Sequence, residues 1–343
     1  VKRSNQHGQK EPILRIKDLD VHYYTDAGVV KAANQVNFEL TPGERLGLVG
    51  ESGSGKSTLA LAILRMIKKP GSIAGGEIWL EDVDLAKLSE EQMRKVRGSQ
   101  ISMVPQGAMN SLNPVMRIKD QIIDAMVDHE LGISKAQMEE MATDALRAVE
   151  LDPKVGNMYP HELSGGMKQR ACIAISVAMN PKVIIADEPT SALDVITQRQ
   201  VMETLGNLQE RLGSAIILIG HDMGLMAQFV DRIAVMYAGR LMELGRVQDI
   251  FTNPLNPYTQ LLIKSIPGLS NRGDFTGIPG ITPPLTALPP GCVFNNRCPS
   301  AMPVCMTTMP ALREHKPHHQ AACYLYENGI EEKKARYDQA VRT

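Results

Sequence analysis

The sequence predicts an α/β fold built on a parallel sheet with helices on both faces. Three observations predict it. A short apolar strand at Arg45 to Gly50 runs into a glycine-rich loop and then a helix. Strand-like runs return at Val183 to Ala186, Ala215 to Ile219 and Ile233 to Tyr237. Helical stretches separate these runs, and strands alternating with helices pair in parallel because each crossover helix returns over the sheet.

Val1 to Lys10 is polar, lacks the apolar core of a signal peptide, and reads as a disordered lead. Ile13 to about Pro42 reads as strands: Leu14, Ile16 and Leu19 precede Val21 and two tyrosines, and Val36 to Leu40 alternates apolar with polar. Thr41-Pro42-Gly43-Glu44 is a turn. The strand Arg45 to Gly50 follows, then the loop, then helical spacing from Thr58 to Ile67. Between Asn110 and Met158 the residues Ile122, Ile123, Met126, Met141, Ala145, Leu146 and Val149 recur at helical spacing, which predicts a helical insert. After Phe251 the composition changes. Proline and glycine crowd Pro267 to Gly291, a linker with no regular core of its own, and Glu331 to Thr343 reads as a charged tail or short exposed helix.

With 343 residues, 43% apolar and 22% charged, the chain can bury a large core in one or two domains. A formal net charge of −1 with scattered basic residues gives no nucleic-acid footprint. The longest apolar stretch, around Ala171 to Met179, is too short to span a bilayer, so work at a membrane would require docking onto other chains. The methionines read as core filler, and Cys172 as a buried small hydrophobe.

Gly50-Glu51-Ser52-Gly53-Ser54-Gly55-Lys56-Ser57 matches G-x-x-x-x-G-K-[ST] between a strand and a helix. By composition alone the pattern arises in about one chain per hundred of this length; its setting is what makes it specific. Glycines permit the turns that aim backbone N–H groups inward, and the helix N-terminus adds its dipole. On this pattern Gly50, Ser52, Gly53, Ser54 and Gly55 cradle phosphates, Lys56 reaches the β- and γ-phosphates, Ser57 ligates Mg²⁺ and Thr58 touches the α-phosphate. The strand Val183 to Ala186 ends in Asp187 and Glu188. Asp187 would face the Mg²⁺ shell and Glu188 would polarise the attacking water as general base. Two solvated acids at a strand end are the bland alternative, which the upstream phosphate loop disfavours.

Leu163-Ser164-Gly165-Gly166-Met167-Lys168-Gln169-Arg170 resembles the ABC transporter signature, written LSGGQ, with Met167 at the fifth position. Helix capping by Ser164 explains the serine but not the paired glycines. Other segments resemble the family in the family's order. Gln106 in Met103-Val104-Pro105-Gln106 resembles the Q-loop glutamine, Ser191-Ala192-Leu193-Asp194 the D-loop, and His221 in Gly220-His221-Asp222 the switch histidine. Tyr23 lies where the family stacks an aromatic ring on adenine, with Tyr24 as fallback.

The resemblance implies a P-loop NTPase of the ABC nucleotide-binding type over residues 11–250. It has a parallel-sheet core, an antiparallel β subdomain and a helical insert at about 107–165. It also implies that two such subunits sandwich two ATPs head to tail. Ser164, Gly165, Gly166 and Met167 would meet ATP held by the other subunit, with Ser164 and Gly166 at its γ-phosphate. His221 would hold the γ-phosphate and orient Glu188. Gln106 would sense Mg²⁺ and water and link hydrolysis to the insert, and Asp194 would act in the D-loop. The implied partners are a second ABC ATPase, identical or a paralogue, two transmembrane permease subunits and, indirectly, an extracytoplasmic solute-binding protein. The implied location is the cytoplasmic face of the cell membrane.

Asn253-Pro254-Leu255-Asn256-Pro257-Tyr258-Thr259-Gln260-Leu261-Leu262 resembles ATPases of oligopeptide and dipeptide importers, as do Asp194-Val195 and Met236-Tyr237-Ala238-Gly239. This implies peptide uptake; relatives of the same type serve nickel, glutathione and oligosaccharides. A soluble ABC ATPase outside transport is the alternative class, but a second cassette and a long coiled-coil insertion are both missing from the sequence. A non-hydrolysing binder is disfavoured by Glu188 and His221.

Residues 251–343 form the extension, with the pattern Cys292-x5-Cys298-x6-Cys305-x17-Cys323. It lacks the paired C-x2-C of common zinc sites. Four thiolates suit a [4Fe–4S] cluster or Zn²⁺. Several relatives of similar pattern hold a [4Fe–4S] cluster, so iron–sulfur is favoured, with a structural role. His315, His318 and His319 read as exposed bystanders.

Overall fold

The computed structural model describes residues 11–266 and 277–326. The lead at 1–10, part of the linker and the tail at 331–343 lie outside the described residues.

In chain order the elements are β1 (Leu14–Thr25), β2 (Gly28–Leu40), β3 (Arg45–Val49), α1 (Lys56–Ile63), β4 (Gly71–Leu80), β5 (Val83–Asp84), α2 (Glu90–Val96) and β6 (Ile101–Val104). Then come α3 (Ile118–Val127), α4 (Lys135–Ala148), α5 (Gly165–Val177), β7 (Val183–Asp187), α6 (Val195–Leu212), β8 (Ala215–Ile219), α7 (Met223–Phe229), β9 (Arg232–Tyr237) and β10 (Arg240–Arg246). The last are α8 (Val247–Thr252), α9 (Pro257–Lys264), α10 (Pro303–Thr307), β11 (Arg313–Lys316) and β12 (His319–Ala321).

Among the described residues there are two sheets. One is four-stranded and antiparallel, in the order β2-β1-β4-β5. The other is eight-stranded, in the order β11-β12-β10-β9-β3-β8-β7-β6. Its centre, β9 through β6, is parallel, and β10, β12 and β11 extend it antiparallel.

Strands β3, β7 and β8 are buried throughout, as segments dominated by Leu, Ile and Val are in a sheet covered on both faces. Their period-2 alternation divides the core. Leu46, Leu48, Val183, Ile185, Ile217 and Ile219 point to the side of α1 and the antiparallel sheet. Val49, Ile184, Ala186, Ile216 and Leu218 point to the side of α5, α6 and the insert helices α3 and α4. The insert packs through Ile118, Ile122, Met126, Ala142, Ala145 and Leu146. Reciprocal capping boxes, Ser89 with Gln92 and Ser134 with Gln137, start α2 and α4.

Three sequence expectations shift. Helix α1 begins at Lys56, because the phosphate loop itself winds into it, and ends at Ile63 rather than Ile67. The extension is joined to the main sheet: β12 pairs with β10, and Val293 and Phe294 enter the core beside Tyr237 and Tyr258. His319 is not an exposed bystander. It is 1% exposed, and its Nε2 lies 2.6 Å from Oε1 of the fully buried Glu243. Glu243 also accepts from the N–H groups of Leu255 and Asn256, so a short polar network pins the extension to β10.

Candidate nucleotide site

The loop between β3 and α1 is shaped by backbone crowding. Gly50 has φ +146° and Gly55 φ +104°. A Cβ at Gly50 would stand 2.1 Å from the carbonyl oxygen of Met236, and one at Gly55 2.1 Å from that of Ala32. Only glycine fits either place. The Lys56 ammonium folds back into the loop, donating to the carbonyls of Gly50 at 2.8 Å and Glu51 at 2.9 Å. Burial pulls the Lys56 ammonium below its ordinary range, against the charges of Glu188, Asp187 and Glu51. A desolvated cation ringed by backbone acceptors is a cradle for a polyanion.

Across from it, β7 delivers Asp187, 3% exposed, whose Oδ1 has no hydrogen-bond partner among the described residues. Burial raises its pKa, opposed by the neighbouring Ser57 hydroxyl. An orphaned carboxylate oxygen beside a serine hydroxyl, next to a phosphate cradle, fits Mg²⁺. Glu188 follows in the left-handed region at φ +46°, with its N–H bound to the carbonyl of Ile219. A non-glycine residue in that region is strained and is held by its surroundings. Its Oε2 accepts from Gln106 Nε2 at 2.8 Å, and its Oε1 lies 3.5 Å from Nδ1 of the exposed His221. Glu188 and His221 share a cavity of about 190 Å³ with Ser191 and Gly220. Gln106 sits just beyond β6, and His221 just beyond β8.

Ser164 caps α5, its hydroxyl accepting from the N–H of Met167 at 3.3 Å. Ser164 and Gly165 are exposed. A Cβ at Gly166 would stand 2.7 Å from the Thr197 methyl, so this glycine lets α5 abut the start of α6. Asp194 caps α6 through the N–H groups of Ile196 and Thr197 and the Thr197 hydroxyl. No hydrogen bond among the described residues joins 164–167 to residues 50–58. Tyr23 is half-buried against Ile67 and Gly71, while Tyr24 is 53% exposed. Ser52 and Gly53 are exposed, Ser54 is buried with its hydroxyl 3.3 Å from Lys56 Nζ, and Thr58 is half-buried on α1.

Sequence reasoning missed a second layer. The Glu51 N–H donates to the Tyr258 hydroxyl at 3.0 Å, and the Glu51 carboxylate is gripped by Arg297. Glu51 occupies a position where the loop pattern admits any residue, so the pattern carried no signal for it.

In the extension, Cys292, Cys298, Cys305 and Cys323 line one cavity of about 20 Å³, and none forms a disulfide. Burial pushes Cys292 and Cys298 up to about 11 and Cys323 to about 12. Among the described residues, no group of three or more His, Cys, Asp or Glu side chains stands in metal-holding geometry. Cys172, on α5, is buried apart from them, with Sγ 3.0 Å from the carbonyl of Ala108.

A strand–loop–helix phosphate cradle facing a buried aspartate and a strained glutamate defines a P-loop nucleotide hydrolase. Residues 33–191 match the ABC transporter family, and residues 242–305 match the oligopeptide/dipeptide transporter C-terminal region. The chain is 43% identical to the probable peptide ABC transporter ATP-binding protein y4tR of Sinorhizobium fredii, covering 94% of this chain and 97% of the relative. It is also 43% identical to the oligopeptide transport ATP-binding protein OppD of Escherichia coli, covering 92% and 94%. Among solved structures, the dimeric bacterial ABC transporter cassette MJ0796 is similar at TM-score 0.60 and 28% identity, over 68% of this chain and 98% of that one. The chain therefore belongs to the ATP-binding subunits of ABC transporters, oligopeptide/dipeptide type, and is an ATPase. No described helix is long and apolar enough to cross a membrane.

Proposed function

We propose that this subunit hydrolyses MgATP to drive uptake of di- and oligopeptides. It would do so with a second ABC ATPase and two transmembrane permease subunits at the cytoplasmic face of the cell membrane, and a solute-binding protein would deliver the peptide. The observation that carries the hydrolytic assignment is the Glu188 carboxylate, fixed by a left-handed backbone between Gln106 and His221. The peptide assignment rests on the matched C-terminal region and on the names of the relatives.

In this reading the N–H groups of residues 50–57 and Lys56 bind the phosphates. Ser57, Asp187 and Gln106 would hold Mg²⁺, which when bound would neutralise charge on the phosphate oxygens. Glu188 accepts the proton of the attacking water, and His221 orients it and contacts the γ-phosphate. Tyr23 stacks on the base, with Tyr24 as the exposed alternative on the same strand. Residues 164–167 complete the site of the neighbouring subunit, a reading supported by the exposure of Ser164 and Gly165.

The four thiols line one cavity without standing in metal-holding geometry; their softness and number are what support a [4Fe–4S] cluster here, with Zn²⁺ as the alternative. Iron–thiolate bonds there would staple a segment poor in regular structure. The test is transport. The chain in sealed vesicles with its second ATPase, the two permease subunits and the solute-binding protein should take up labelled peptide only with ATP, and Glu188→Gln should abolish uptake. Uptake of nickel or an oligosaccharide, but of no peptide, would overturn the substrate assignment.

A further inference from the structure

Glu51 is an awkward residue for its place. It follows the first glycine of the phosphate loop, and a bare carboxylate there would repel an incoming polyphosphate. The extension cancels it. Arg297 reaches from the cysteine segment and forks onto Glu51, with Nη1 to Oε2 at 2.8 Å and Nη2 to Oε1 at 3.0 Å. The rest of the guanidinium is used up: Nε donates to the carbonyl of Pro279 at 2.7 Å, and Nη1 to the Tyr237 hydroxyl at 3.1 Å. Its Cζ lies 5.6 Å from the Tyr237 ring centroid and 5.8 Å from that of Phe294. Thr282 gives a further bond to Glu51 at 2.6 Å. From the other side, the Glu51 carbonyl accepts from Lys56. One residue thus joins the phosphate lysine to an arginine adjacent in sequence to Cys298.

We propose that Arg297 is a positioning residue for nucleotide binding. It neutralises and clamps Glu51, so that the cysteine-bearing extension sets the affinity of the phosphate loop for MgATP. This rests on the phosphate-loop reading of residues 50–57. A planar, bidentate, stacked cation is what the site requires, and lysine would not replace it in full.

The test is equilibrium MgATP binding to the 343-residue chain, with KM and kcat measured alongside. Arg297→Ala should raise Kd and KM by about tenfold or more, because it leaves a half-buried carboxylate uncompensated at an anion site. Glu51→Gln in that background removes the stranded charge and should bring Kd back to within about threefold of the parent, a non-additive recovery that loss of packing alone would not give. Arg297→Lys should fall between, at about threefold; it supplies the reading should Arg297→Ala fail to fold. An Arg297→Ala or Arg297→Lys chain binding MgATP like the parent overturns the proposal, as does a double variant no better than Arg297→Ala. A parent chain that binds no MgATP overturns the phosphate-loop reading itself, and this inference with it.

Discussion

Gln106 donates to Glu188 across 2.8 Å, joining residues 82 positions apart in the chain. The bond holds one carboxylate oxygen of the proposed base, and the other faces His221. Gln106, two residues beyond β6, is therefore in direct contact with Glu188, the residue that follows β7.

Removing the base while keeping its shape should separate binding from hydrolysis. Glu188→Gln should retain MgATP and lower single-turnover phosphate release by about 10²-fold or more. It should also accumulate a nucleotide-bound dimer on size exclusion. Phosphate release at the parent rate would remove Glu188 from its role.

Lys56→Ala deletes the charge that the loop folds around. MgATP affinity should fall by at least about tenfold, as expected for a charge-assisted contact to phosphate. Titration with a fluorescent nucleotide reads it directly, and unchanged affinity would count against the cradle.

Glu51 gives a pH signature. Burial raises its pKa, but hydrogen bonds from Arg297 and Thr282, with the charges of Arg297 and Lys56, hold it below its ordinary value of 4.5. The folded value is lower than the unfolded one. The stabilisation is therefore complete above about pH 4.5 and is lost as pH falls through the lower folded value. Melting curves should show the parent's advantage over Glu51→Gln shrinking in that acidic window, and an advantage constant down to pH 3 would contradict it.

The cysteine cavity makes a chemical prediction. Chain purified without oxygen should be brown and carry about four irons. Cys298→Ser should lose colour and iron. A colourless chain with one zinc would replace the cluster with the alternative metal.

His319→Ala should destabilise the chain by about 1–3 kcal/mol, because it strips a buried carboxylate of one partner. Urea unfolding measures this, and a neutral effect would show that Glu243 is satisfied without it.

The sequence made legible what repeats a local pattern. The buried strands β3, β7 and β8 announce themselves by their concentration of Ile, Leu and Val, and the loop at 50–57 by glycine spacing. Relationships between distant segments were less legible. No periodicity links Arg297 to Glu51 or His319 to Glu243, since each pair is made by the fold closing over long separations. His319 looked exposed because histidine next to histidine and proline reads as loop. It is in fact in β12, and its burial comes from pairing with β10. The Pro/Gly-rich stretch before the cysteines is irregular where described, as read, yet Ile278, Leu285 and Leu288 pack on the main core, which composition alone did not signal.

Strand β12 also covers something. Leu241 to Gly245 of β10 are buried and apolar apart from Glu243, and on the side away from β9 Glu243 and Leu244 pair with β12, beyond which β11 presents Arg313, Glu314 and Lys316. A chain cut before residue 313 would leave β10 as a naked, sticky margin with unmet backbone donors and acceptors. Such a truncation would be expected to precipitate or pair edge to edge with other copies.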